Sequence, residues 1–264
     1  MEVVELSTIV AADGRYVGAG SKQTTLSGSG IVIVKVTPNV PSGDYHKTAI
    51  IENLIIDGKN PATNGISAGS VGILLQNVYN CVIRNVTILN CEVGIKIENT
   101  NNYWSQSNRI EHVRMTNVKT GILFTAAGTN GDFGFTTIKD VGIKLSETEQ
   151  SNVGIQIGTA NGPVVKPYSS FIKATVWLGK TGANYGMRIY GELKYSLVMF
   201  AVECPDASGG LANKVGVDIQ TDPVAVSDNQ SFMLSLGANI PTAVLVPPQY
   251  VPPFIHHDIV TEII

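Results

Sequence analysis

Five carboxylates stand where they could act as acid and base. Glu98 falls near Glu92 and Glu111, and Asp132 precedes Asp140. Paired carboxyls are what glycosidic-bond cleavage needs, roughly 6.5–9.5 Å apart when a water sits between them and roughly 5–5.5 Å when one attacks directly. Solvated surface charge is the competing reading of each. A second set suits binding without reaction. Asn99-Thr-Asn-Asn-Tyr103-Trp104-Ser-Gln-Ser-Asn108 puts two aromatic rings in a polar stretch, and Gly128-Thr-Asn-Gly-Asp132-Phe133-Gly-Phe135 puts another beside an aspartate. Flat apolar faces next to hydrogen-bonding groups suit sugar rings, so Tyr103, Trp104, Phe133 and Asp132 are the candidate binding residues. The alternative is that these rings pack on the body of the protein or on a second subunit.

Other chemistries find little support. His46 and His112 lack a partner motif, and His256-His257 lacks the ligand spacing of a metal site. Cys81, Cys91 and Cys204 have no such spacing either and read as small buried residues. Gly18-Ala-Gly-Ser and Gly128-Thr-Asn-Gly open no helix, so a phosphate cradle is not expected. No Ser/His/Asp triad is read, and no metal or cofactor is expected. The formal charge of −3, with 15% charged residues, argues against a nucleic-acid binder. Every apolar run breaks well short of 18 residues, so no transmembrane helix is expected. The opening residues have neither a basic region nor an apolar core, and no signal peptide is read.

The elements that must hold these residues follow from a repeat. One frame reads Ile51-Glu-Asn-Leu54-Ile-Ile56, Ile83-Arg-Asn-Val86-Thr-Ile88, Ile110-Glu-His-Val113-Arg-Met115 and, more loosely, Ile138-Lys-Asp-Val141-Gly-Ile143. A second alternates with it: Gly72-Ile-Leu-Leu75, Gly94-Ile-Lys-Ile97, Gly121-Ile-Leu-Phe124, Gly154-Ile-Gln-Ile157, Gly186-Met-Arg-Ile189 and Gly216-Val-Asp-Ile219. Its glycines are 22, 27, 33, 32 and 30 residues apart. Apolar, β-branched residues recur two apart, which is strand spacing, and no stretch keeps helical spacing over ten residues. One short strand pair cannot bury its own apolar face, but stacked coils can. The expected fold is all-β, a parallel solenoid of seven or eight coils. Residues 1–222 form the solenoid, with opening coils over 1–36 and clear coils over 50–220. Residues 223–264 hold a last strand, Ser231–Leu236, and a Pro-rich extended tail that pairs with a neighbouring subunit or caps the last coil. Asn53, Asn85, His112 and Asp140 share one frame position and are expected to form a turn ladder.

These alternating frames resemble the right-handed parallel β-helix of the pectate-lyase-like superfamily, whose members include polysaccharide-degrading enzymes, phage tail spikes and surface adhesins. The resemblance is strong over about residues 50–220 and nearly silent on activity. The pectin hydrolases of that group carry Asp-Asp, Gly-His-Gly and Arg-Ile-Lys signatures. The first two do not occur here, and Arg109-Ile110-Glu111 matches the third without its lysine. The resemblance therefore implies a non-catalytic rod of a viral tail, appendage or cell surface, extracellular or on a virion, binding a polysaccharide or surface glycan through its loop aromatics. A polysaccharide lyase or hydrolase with an unfamiliar acid set is one alternative, with Glu98, Glu111, Asp132 and Asp140 as the catalytic candidates. A structural assembly module is another. A trimer is implied by viral rods of this kind. No amphipathic helix is read ahead of the first coil, so either another chain is expected to cover that end or the sequence is a piece of a longer protein.

Overall fold

The computed structural model describes residues 3–5, 9–11, 15–17, 24–27, 32–37, 46–47, 49–100, 103–128, 131–204, 213–220, 231–237, 240–245 and 262–263. Among them there is no α-helix; two long parallel sheets of 14 and nine strands wind around one core. The solenoid makes about six turns through its central part, fewer than the seven or eight expected.

Each coil lays an isoleucine on the isoleucine below. Ile51, Ile83, Ile110, Ile138, Ile172 and Val198 stand in register along the first face, each at most 1% exposed. Ile73, Ile95, Ile122, Ile155, Met187 and Val217 do the same on the second, each at most 2% exposed. Fully burying such a side chain is worth about 1.5–3 kcal/mol, so the stacked columns are the main source of stability. Cys81, Cys91 and Cys204 are buried and in no disulfide, as expected of core residues. Burial pushes the thiols of Cys81 and Cys91 up to about 11 and about 12.

The turns follow from side chains that tolerate a left-handed backbone. Asn53, Asn85, His112 and Asp140 all have φ between 53° and 58°, so the expected ladder forms. It splits the first face into short strand pairs, such as Val82–Arg84 with Thr87–Leu89. Beyond Asp140 the hinge is lost, and Phe171–Trp177, Leu197–Glu203 and Ser231–Leu236 run unbroken. A second ladder links Asn117 Nδ2 to Asn90 Oδ1 and Asn90 Nδ2 to Asp57 Oδ1, each 2.8 Å.

The second frame needs its glycines. A Cβ on Gly72, Gly94, Gly121, Gly154 or Gly186 would lie 2.4–2.7 Å from the carbonyl oxygen of the next glycine in the column. The outward column Leu74, Lys96, Leu123, Gln156, Arg188 and Asp218 forms in register as expected. Its last member is nevertheless fully buried. The Arg188 Nε donates to Asp218 Oδ2 at 2.6 Å, and the guanidinium lies 3.4 Å from the Tyr185 ring centroid.

At the ends, Val3–Glu5, Ile9–Ala11, Arg15–Val17 and Thr24–Ser27 join the two faces in parallel register. Glu262–Ile263 adds in parallel to Ser235–Leu236 of the last long strand. The Pro-rich stretch between them, with His256-His257, lies outside the described residues. No helix among the described residues is long and apolar enough to cross a membrane.

Candidate functional site

A third corner of the rod gathers the exposed aromatic rings. The chain enters the first face there through Asn80, Ser107, Phe135, Ser169 and Tyr195, all left-handed with φ of 49–62°. Each hands its N–H to the next coil: Asn80 to the Gln106 carbonyl (3.1 Å), Ser107 to Gly134 (3.1 Å), Phe135 to Tyr168 (2.9 Å) and Ser169 to Lys194 (2.9 Å). The residue after each turn is buried and anchors it. The Cys81 N–H donates to Asn108 Oδ1 (2.9 Å), that of Thr136 to Ser170 Oγ (3.1 Å) and that of Ser170 to Ser196 Oγ (3.0 Å). Inward polar side chains fix the backbone, so the turn residues point outward.

Two of those turn residues are aromatic. Phe135 is 52% exposed and Tyr195 58%. A left-handed conformation costs a residue with a Cβ about 1–2 kcal/mol, and bulky residues rarely adopt it. The same column uses Asn80, Ser107 and Ser169 in other coils, so the turn itself does not ask for a ring. Phe135 and Tyr195 are two coils apart, with Ser169 between, a separation of about 9.6 Å at the usual strand spacing.

A polar cluster supports the first ring. Tyr168 meets Phe135 edge to face, with centroids 5.4 Å apart. The Tyr168 ring lies across bare backbone at Gly134, where a Cβ would stand 2.5 Å from Cζ. Gln106 Nε2 donates to the Tyr168 hydroxyl oxygen (2.8 Å) and to Asp132 Oδ2 (3.0 Å). Burial, then the Asp132 charge, raises the Tyr168 phenol above its ordinary value, so it stays a donor. Tyr79 and Trp104 make a second edge-to-face pair, 5.5 Å apart.

The predicted binding residues divide. The two loops do meet: Ser105 N–H and Asn99 Nδ2 both donate to the Asp132 carbonyl, at 3.0 and 2.8 Å. Tyr103 and Trp104 are half-buried. Phe133 is a correction, because it is fully buried and packs on Phe124 at 5.6 Å. Between the Asp132 bridge and the turn, Phe133 directs its ring into the core, and the left-handed turn throws Phe135 outward. Phe135, Tyr168, Tyr195 and Gln106 were missed; an aromatic just ahead of a small buried hydroxyl residue, as in Tyr195-Ser196, is the signal that could have found two of them.

The predicted acid pairs do not assemble. Glu98, on the second face, accepts from Gln76 Nε2 (2.7 Å) and Lys96 Nζ (2.6 Å). Glu92 accepts from the Gly69 N–H and lies 3.7 Å from Lys119 Nζ. Glu111 stands on the first face, in register with Arg84 and Lys139. Asp132 belongs to the aromatic corner, whereas Asp140 sits on the hinge ladder, 3.1 Å from Lys173 and 3.8 Å from His112. The hydrogen bond from Lys173 holds the Asp140 carboxyl below its usual range, opposite to what a general acid needs. Gly65-Ile-Ser67-Ala-Gly69 has the spacing of a nucleophile elbow that the sequence reading passed over. Ser67 is 5% exposed and starts a strand, with no helix behind it, so the strand–turn–helix context of that motif is missing. No group of three His, Cys, Asp or Glu that could hold a metal occurs among the described residues.

No family model matches the chain, and no curated protein matches its sequence. What the residues establish is a parallel β-solenoid with a row of aromatic side chains anchored along one corner.

Proposed function

We propose that this chain is a non-catalytic rod of a viral tail, appendage or cell surface, and that it binds surface glycans along its aromatic corner. One observation carries the reading: Phe135 and Tyr195 are held outward at left-handed positions where Asn or Ser serves the turn equally well. Strained residues of this kind point to function at the surface rather than to folding. Tyr168, Gln106 and Asp132 supply hydrogen-bonding groups beside the rings. The separated carboxylates support binding over cleavage.

The test replaces each ring with the residue another coil uses there. Phe135→Asn and Tyr195→Asn are incubated with immobilised polysaccharides and assayed for retention, new chain ends and thermal midpoint. Retention should fall about tenfold for each, the upper end of what an aromatic contact contributes. The midpoint should hold or rise, because Asn accepts the turn. Unchanged retention in both variants overturns the reading, and so does the appearance of new chain ends.

A further inference from the structure

A lysine is buried at the entry to the second face. Lys214 is 1% exposed and stands in register with Asn184, which stands in register with Asn152. The two amides hold the loops of their own coils. Asn152 Nδ2 donates to the carbonyls of Ser146 (3.0 Å) and Glu149 (2.9 Å), and Asn184 Nδ2 to those of Thr181 (2.7 Å) and Gly182 (3.0 Å). Lys214 reaches one coil back. Its Nζ donates to the carbonyls of Gly179 (2.7 Å), Lys180 (3.1 Å) and Gly182 (3.1 Å).

Three acceptors match the three N–H donors of an ammonium group, whereas an amide nitrogen has two donors and a neutral amine would turn a lone pair on one carbonyl. Burial pulls the Lys214 ammonium below its ordinary value, so the carbonyl tripod works against desolvation. No carboxylate pairs with Lys214 among the described residues, and the backbone dipoles face its charge alone.

Groups other than the lysine hold this cradle. Asn184 Oδ1 accepts from the Gly179 N–H (3.2 Å), while its Nδ2 fixes the Gly182 carbonyl. Thr181 Oγ1 donates to the carbonyls of Glu147 (2.8 Å) and Glu149 (3.1 Å) in the neighbouring coil. Gly182 is left-handed, with φ of 61°, and a Cβ on Gly179 would stand 1.9 Å from Ser146 O. Both ends of the loop are therefore set by backbone geometry, and the three carbonyls keep their places without the lysine.

We propose that the carbonyls of Gly179, Lys180 and Gly182 form a recognition site for a primary ammonium group, filled in this chain by its own Lys214, and that the site takes a free primary alkylammonium ion when that side chain is removed. It lies apart from the aromatic corner and does not depend on glycan binding. A quaternary ammonium ion carries the same charge but has no N–H to give, so it is excluded.

Lys214→Ala removes the side chain beyond Cβ, which is n-propylammonium in outline. Thermal unfolding is followed by circular dichroism in propylammonium chloride or in propyltrimethylammonium chloride at equal ionic strength. Lys214→Ala should unfold at a lower temperature than the parent. Propylammonium should raise its midpoint, by an amount that grows with the logarithm of concentration once the site fills. Propyltrimethylammonium should leave the variant where it was, and neither ion should move the parent. Lys214→Met, which fills the space without the charge, should be destabilised and should respond to neither ion. If Lys214→Ala does not fold unaided, refolding in propylammonium should restore the parent's spectrum. The proposal is overturned by a Lys214→Ala variant as stable as the parent, by an equal response to the two ions, by an equal response of Lys214→Met, or by no recovery of Lys214→Ala in propylammonium.

Discussion

Replacing Gly154 with alanine should cost the rod about 3 kcal/mol. The added Cβ would lie 2.4 Å from the Gly186 carbonyl oxygen and 2.6 and 2.8 Å from the two Val176 methyls, against 3.4 Å or more for ordinary contact. The oxygen must therefore retreat by about 1 Å, or the methyls must turn off their rotamers. Neither move is free. The next step of the column is as close, since a Cβ on Gly186 would itself stand 2.6 Å from Gly216 O, so there is little slack for the carbonyl to move into. Overpacking of this kind costs about 1–3 kcal/mol, and a lengthened inter-coil hydrogen bond adds about 1. Loss of unfolded-chain freedom returns about 0.4–1 kcal/mol. Gly154 does not have a left-handed φ, so the cost is steric and not conformational. Gly65→Ala is the control, since its Cβ would meet only Thr63 Oγ1, at 3.6 Å. Urea unfolding followed by circular dichroism should show a midpoint lowered by roughly 1 M for Gly154→Ala and unchanged for Gly65→Ala, given slopes of a few kcal/mol per molar. Equal midpoints for Gly154→Ala and the parent would refute the close-approach account of the glycine column.

Two further perturbations test the electrostatics. Arg188→Met strands the fully buried Asp218 without its ion partner and should cost about 3 kcal/mol in the same urea assay, whereas Arg188→Met/Asp218→Leu should recover most of it. A double variant no better than the single one would show that the pair is not the cause. Asp140 is held below its ordinary 3.8 by Lys173, so its contribution is full above that value and disappears as pH falls through the depressed one. The stability gap between the parent and Asp140→Asn should therefore narrow as pH falls below the ordinary 3.8 and through the depressed value, and a gap independent of pH would count against the ion pair.

The solenoid was legible because burial repeats with the chain. Ile51, Ile83 and Ile110 occupy equivalent places in successive coils, so the inward column could be read without knowing the loops. Gly72 through Gly186 were legible as a frame, though their reason, the approach of the next carbonyl, was not. The aromatic corner resisted reading because parity breaks there. Nothing in Asp132-Phe133-Gly134-Phe135 announces that Phe135 is left-handed, and one such residue decides which ring faces water. The room for Tyr168 comes from Gly134, 34 positions away and one coil below. The acid pairs failed for a related reason: Glu98 and Glu111 are close in sequence, but a solenoid puts them on different faces. The straight strands from Phe171 onward depend on a hinge that stops after Asp140, and no residue type marks its loss.

The anchored corner also fixes a unit of length. Each outward ring rides on a coil, so rings can be separated only by whole multiples of about 4.8 Å. Phe135 and Tyr195 are two such steps apart, and the serine between them leaves the middle step blank. On the proposed reading, a polymer whose own repeat matches two steps would meet both rings at once, and one that does not would meet a single ring and gain nothing from the second. Removing or adding one coil between them would change that spacing to about 4.8 or about 14.4 Å without touching either ring, so a rod that bound polymers along this corner, as proposed, would also select them by repeat length.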